Sequence, residues 1–120
     1  MLREFLIAKI HRAVVTARDV NYVGSITIDE DLLNSVGILP WEKVQVVDIN
    51  NGARLETYVI PGRVGFREVQ LNGAAARLVE VGHRVIIMSY GLLRDDEIPG
   101  HKIKIAILDE KNRIIELKKV

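Results

Sequence analysis

Gly24-Ser25, within Tyr22-Val23-Gly24-Ser25-Ile26-Thr27-Ile28-Asp29, places a hydroxyl directly after a glycine at the mouth of an apolar strand. Such a serine can attack the peptide bond on its own N-terminal side. Glycine reaches backbone conformations closed to other residues, so a strained carbonyl can be held against the neighbouring hydroxyl. Attack of Ser25 Oγ on the Gly24 carbonyl converts the amide to an ester. Elimination across Ser25 then cuts the chain and leaves dehydroalanine, which takes up water and releases ammonia to become a pyruvoyl group. That group is a ketone tethered to the protein, able to condense with an amine. Most Gly-Ser pairs are plain turns, so the dipeptide gains weight only from its company.

Three further groups could take part. In Lys9-Ile10-His11-Arg12, strand alternation puts Lys9 and His11 on one face and Ile10 and Arg12 on the other. The pair reads either as a solvated, charge-protected edge or as an anion site from Lys9 with His11 beside it. Arg54 and Glu56 share one strand face, Leu55 and Thr57 the other, with Tyr58 next along. Arg54 is a surface charge or a fork for a carboxylate, and Tyr58 a barrel aromatic or a phenolic proton donor. Asn72-Gly73-Ala74-Ala75-Ala76 is a turn, or an amide side chain beside the free N–H groups of a helix start, suited to an oxyanion or carboxylate. His83 and His101 lack ligand partners at metal spacing and are expected at the surface; no metal site is expected.

Short β-type runs between turn signals must position these groups. Strands are expected over 5–16, 25–28, 44–49, 55–60, 69–71, 85–90, 103–108 and 113–117. Asp29 is an N-cap for a helix over 30–36 that buries Leu32, Leu33 and Val36 and stops at Gly37. Asn51-Gly52 is the strongest hairpin signal, and 74–78 is expected as one or two helical turns. The sum is a small, mainly β barrel with two short helices.

With 120 residues, 48% hydrophobic and 28% charged, the chain is read as a single soluble domain, 1–120. A net charge of +1 gives no broad grip on nucleic acid. The absence of cysteine excludes disulfides and thiolate chemistry and fits a reducing compartment. No apolar run is long enough for a signal peptide or membrane span, so no membrane association and a cytoplasmic location are expected.

Taken together and in order, Lys9-Ile10-His11-Arg12, Tyr22-Val23-Gly24-Ser25, Ile38-Leu39, Asn51-Gly52, Arg54, Thr57-Tyr58 and Asn72-Gly73-Ala74-Ala75-Ala76 resemble the pyruvoyl-dependent aspartate 1-decarboxylases of bacteria. The resemblance spans nearly the whole chain. It implies a double-psi β-barrel, assembled as a homotetramer with active sites between subunits. It implies conversion of L-aspartate to β-alanine and carbon dioxide for pantothenate synthesis. Self-cleavage between Gly24 and Ser25 would give chains 1–24 and 25–120, with Ser25 becoming the pyruvoyl cofactor that forms a Schiff base with substrate. Tyr58 would donate a proton to the carbanion, and Arg54 and Lys9 would bind the carboxylates. Thr57, Asn72 and Tyr22 would assist cleavage, Thr57, Gly73, Ala74 and Ala75 would line the substrate, and His11 would support the site. A maturation partner is a further possibility of this reading.

The chain departs from the family pattern at Val23, where glutamate is usual before the cut, at Val47, where some members carry an aromatic, and at His83, where aspartate is common. The segment 62–67 is also atypical. Two other functions are weighed against the decarboxylase. A non-enzymatic barrel binding DNA would stay intact and show salt-sensitive retention. An unprocessed, inactive relative would keep only the scaffold.

Overall fold

Period-two alternation decides which side of each strand faces inward: Ile26 and Ile28, Val44 and Val46, and Val85 and Ile87 are all buried, while the residues between them are not uniformly so. The computed structural model describes every residue from Met1 to Val120. Its strands are β1 (Leu2–Val14), β2 (Ala17–Asp19), β3 (Ser25–Asp29), β4 (Lys43–Asp48), β5 (Arg54–Gly62), β6 (Val69–Asn72), β7 (Arg84–Arg94), β8 (Lys104–Leu108) and β9 (Ile114–Lys119). One helix, α1 (Glu30–Val36), and a 3-10 segment, Gly73–Leu78, complete the chain. The strands form one sheet in the order β2-β6-β3-β5-β4-β7-β1-β8-β9, whose two ends do not pair.

Pairs β1/β8, β2/β6 and β3/β5 are parallel and the rest antiparallel. The sheet encloses one core cluster that draws on β1, β3–β8 and α1. This mainly β architecture with short helices is consistent with the expected barrel. No helix is long and apolar enough to cross a membrane.

Helix α1 follows its sequence signals. The Asp29 carboxylate accepts from Asp31 N at 2.8 Å, and Gly37, at φ 78°, donates its N–H to Leu33 O at 2.9 Å. Leu32, Leu33 and Val36 are buried as expected. Asp29 also accepts from Arg67 N at 2.6 Å, which ties the atypical 62–67 segment to the helix start.

Several expectations need correction. Strand β1 begins at Leu2 and β7 runs on to Arg94, because the two pair from Leu2↔Arg94 onward although their outer ends are exposed. Within β1, alternation breaks at Arg12, whose φ of 67° lies in a bulge that turns its side chain to solvent and Ala13 into the core. Strand β2 was not expected; it is held by parallel pairing with β6, and by Arg18, which donates to Ala76 O and Val79 O. Asn51-Gly52 does close the β4–β5 hairpin, in a loop longer than two residues, with Gly52 at φ 75° and Asp48 Oδ1 accepting from Asn50 N and Asn51 N. His83 and His101 are not free surface residues. His83 Nδ1 lies 2.7 Å from Oδ2 of buried Asp48, and His101 Nε2 lies 2.8 Å from Leu6 O with its ring edge-on to Phe5.

Candidate active site

Ser25 is the first residue of β3 and is fully buried. Antiparallel pairing with β6 sets Ser25 opposite Asn72 and Thr27 opposite Gln70. Side chains opposite one another share a face, here the one turned away from Ile26 and Ile28. The Asn72 amide uses this placement: Nδ2 donates to Ser25 Oγ at 2.8 Å and to Thr27 Oγ1 at 3.1 Å. Its Oδ1 accepts from Gln70 Nε2 at 2.7 Å, so both ends of the amide are held. Asn72 sits at the N-cap of the 3-10 segment but makes no capping bond; its side chain serves the serine instead.

The conformational demand falls on a different glycine from the one expected. Gly24 has no left-handed backbone, and a Cβ added there would meet nothing within 4 Å. Gly73 has φ 71°, and a Cβ there would lie 2.8 Å from Gly24 Cα and 3.1 Å from Tyr22 O. Gly73 is therefore the seat on which the Tyr22–Gly24 backbone rests. Gly73→Ala should destabilise the protein by about 2–3 kcal/mol, combining the left-handed penalty with a backbone clash. It should also slow any chemistry at the Gly24–Ser25 bond. Thermal unfolding and a timed fragment analysis would check both effects.

Tyr58 joins this face from β5. Parallel pairing matches Ile26 with Val59, so Ser25 and Tyr58 stand one step earlier, side by side. Tyr58 stacks on Trp41, with centroids 5.6 Å apart and planes at 18°. Thr57 points to the other side of β5, opposite buried Val44; the hydroxyl that Asn72 holds beside Ser25 is that of Thr27. Ala74 is exposed and Ala75 half-buried. Tyr22 is half-exposed on the loop before Ser25.

The cations lie elsewhere on the same outer face. Arg54 is exposed at the start of β5, four residues from Tyr58, or about 13 Å along the strand. Lys9 pairs with Met88, Met88 with Gln45, and Gln45 with Glu56, a row crossing four strands. Strand β3 is one strand further, so four inter-strand steps, a path of about 19 Å along the curved sheet, separate the strand of Lys9 from that of Ser25. One chain therefore brings Ser25, Thr27, Tyr58, Asn72 and Gly73 together, but not Lys9, His11 or Arg54. Among the clefts of the single chain, one of about 280 Å³ along β4 and β5 is lined by Lys43, Glu56, Thr57 and Tyr58.

Thr27, Gln70 and Trp41 were missed in the sequence. The spacing of Ser25 and Thr27, two apart on one strand, could have found Thr27. His11, beside Lys9, has its pKa held below the ordinary 6.5, first by burial and then by Lys9, Arg12 and Arg84. A base whose pKa falls on folding takes up protons in the unfolded chain before the folded one. Stability should then decline as pH drops below about 6.5, and His11→Asn should flatten that decline. Denaturant unfolding on either side of that pH would measure it.

The sequence model for aspartate decarboxylase matches residues 1–115. Aspartate 1-decarboxylase of Bacillus subtilis (strain 168) is 56% identical over 117 residues, covering 98% of this chain and 92% of that protein. The protein of the same name from Bacillus licheniformis is 58% identical over 117 residues, with the same coverage. That of Listeria monocytogenes is 59% identical over 114 residues, covering 95% of this chain and 90% of its own length. With a buried serine, its orienting amide and the glycine seat all in place along a match of this extent, the chain belongs to the aspartate decarboxylase family.

Proposed function

We propose that this chain is an aspartate 1-decarboxylase that cleaves itself between Gly24 and Ser25 and converts L-aspartate to β-alanine and carbon dioxide. The observation that carries the reading is the Asn72 amide bonded to Ser25 Oγ at 2.8 Å, with Gly24 packed against Gly73. A hydroxyl oriented in a dry site, next to a peptide bond whose backbone has a fixed seat, suits an intramolecular acyl shift. The residues present thus fit formation of a pyruvoyl group from Ser25. Once formed, that group supplies an electrophile for the substrate amine and a sink for the electrons left by carbon dioxide.

The other residues bind, orient and move protons. Asn72 orients the Ser25 hydroxyl, while Thr57, which faces away from that hydroxyl but stands level with Gly24 when the β3/β5 register is continued, and Tyr22 assist cleavage from the Gly24 side; Gly73, Ala74 and Ala75 allow close backbone approach. Arg54 binds a substrate carboxylate through its two-pronged guanidinium, and Lys9 adds positive charge. The tighter grip belongs on the side-chain carboxylate, because an ion pair on the departing group would stabilise the ground state as its charge disperses. Tyr58 donates the proton to carbon, and His11 supports the Lys9 side.

The placement of Lys9 four strands from Ser25, and of Arg54 at the far end of β5 from Tyr58, supports a site completed by a second copy, in a homotetramer. Intact-mass analysis after warm incubation, with a β-alanine assay, tests the whole reading. Fragments 1–24 and 25–120, the larger with a carbonyl in place of its amine, support it. A single uncut mass with no product overturns it.

A further inference from the structure

Trp41 is the only tryptophan in the chain, and its backbone occupies a position that disfavours it. Glu42 N donates to Leu39 O at 3.1 Å, closing a turn with Pro40 second and Trp41 third. Trp41 has φ 71°, so this is the type II arrangement, whose third position normally takes glycine or asparagine. A bulky residue there is an outlier that the surroundings must sustain. Two contacts do so. Trp41 N donates to Val59 O at 2.7 Å, fixing the turn to β5 one residue past Tyr58. The indole then lies flat on the Tyr58 ring, at 5.6 Å and 18°. The indole is otherwise 71% exposed, so burial in the core does not account for its place.

We infer that Trp41 is a positioning residue that clamps the Tyr58 ring, fixing where its phenol points along the face that carries Ser25. The inference rests on the role given to Tyr58 above. The backbone bond to Val59 and the stack on Tyr58 grip the same strand, so ring and strand move together. Tyr58 is half-buried, Trp41 is the aromatic ring stacked on it, and its hydroxyl makes no hydrogen bond within the chain, so its proton is not committed to another group. The cleft lined by Lys43, Glu56, Thr57 and Tyr58 lies along this ring.

Trp41→Asn tests the clamp without breaking the turn, since asparagine tolerates the left-handed position. It should lower kcat for β-alanine formation roughly 10- to 100-fold, with KM near that of the wild type. Trp41→Phe, which restores an aromatic face, should recover most of the loss. Self-cleavage at Gly24 should be unchanged in both variants, because Ser25 and Asn72 make their bonds without Trp41. As a readout independent of turnover, the near-ultraviolet circular dichroism of this sole tryptophan should collapse in Tyr58→Leu. Wild-type kcat in Trp41→Asn, or an unchanged spectrum in Tyr58→Leu, overturns the clamp. A wild-type protein forming no β-alanine would overturn the decarboxylase reading instead, while the spectrum still reports on the clamp.

Discussion

Ser25→Ala is expected to give a single uncut chain of normal fold that forms no β-alanine to the limit of detection. Alanine fits the buried first position of β3 without strain, since it is smaller and the backbone there is ordinary strand. The lost hydroxyl was an acceptor for Asn72 Nδ2, which keeps Thr27 Oγ1 at 3.1 Å. The stability cost should therefore be modest, about 1 kcal/mol. Function has no such reserve, because no other atom of residue 25 can attack the Gly24 carbonyl or become a ketone. Folding is read by circular dichroism, cleavage by intact mass and activity by product formation. A Ser25→Ala protein with full activity would sink the pyruvoyl mechanism.

Tyr58→Phe should separate the two reactions. Phenylalanine retains the ring that stacks on Trp41 and the strand pairing opposite Lys43, so fold and self-cleavage should be preserved. What disappears is the phenolic proton on the face shared with Ser25. Positioned proton transfer contributes on the order of 10²–10⁴ in rate, and decarboxylation should fall by a factor in that range. Single-turnover assays on fully cleaved protein would measure it free of any difference in maturation. Unchanged turnover would remove Tyr58 from the proton-donor role.

What the sequence made legible depends on how local the cause is. Helix α1 could be read from Asp29 to Gly37 because its cap, buried stripe and stop lie within nine residues of one another. Gly24-Ser25 and Asn72-Gly73 were visible as pairs, but not the hydrogen bond from the Asn72 amide to Ser25 Oγ that joins them, which spans 47 positions. The importance of Gly73 was likewise hidden, since it depends on a backbone approach from Tyr22 and Gly24. Strand β2 has no apolar alternation and exists because β6 offers it an edge. The bulge at Arg12 and the turn at Trp41 each place a side chain in the left-handed region against its preference, a choice that tertiary contacts impose. His83 and His101 looked solitary because their partners, Asp48 and Leu6, lie 35 and 95 residues away.

Strand β1 lies inside the sheet, between β7 and β8, and supplies Ala8, Ile10 and Ala13 to the core. A cut after Gly24 would leave that strand in place but change the kinetic order of refolding. The uncut chain refolds in a first-order process, because β1 is always tethered to its neighbours. After the cut, the 24-residue piece must find its slot by diffusion, so recovery becomes second order and slows with dilution. Maturation would thus convert a protein that can recover from transient unfolding at any concentration into one whose recovery depends on how much of both fragments remains nearby.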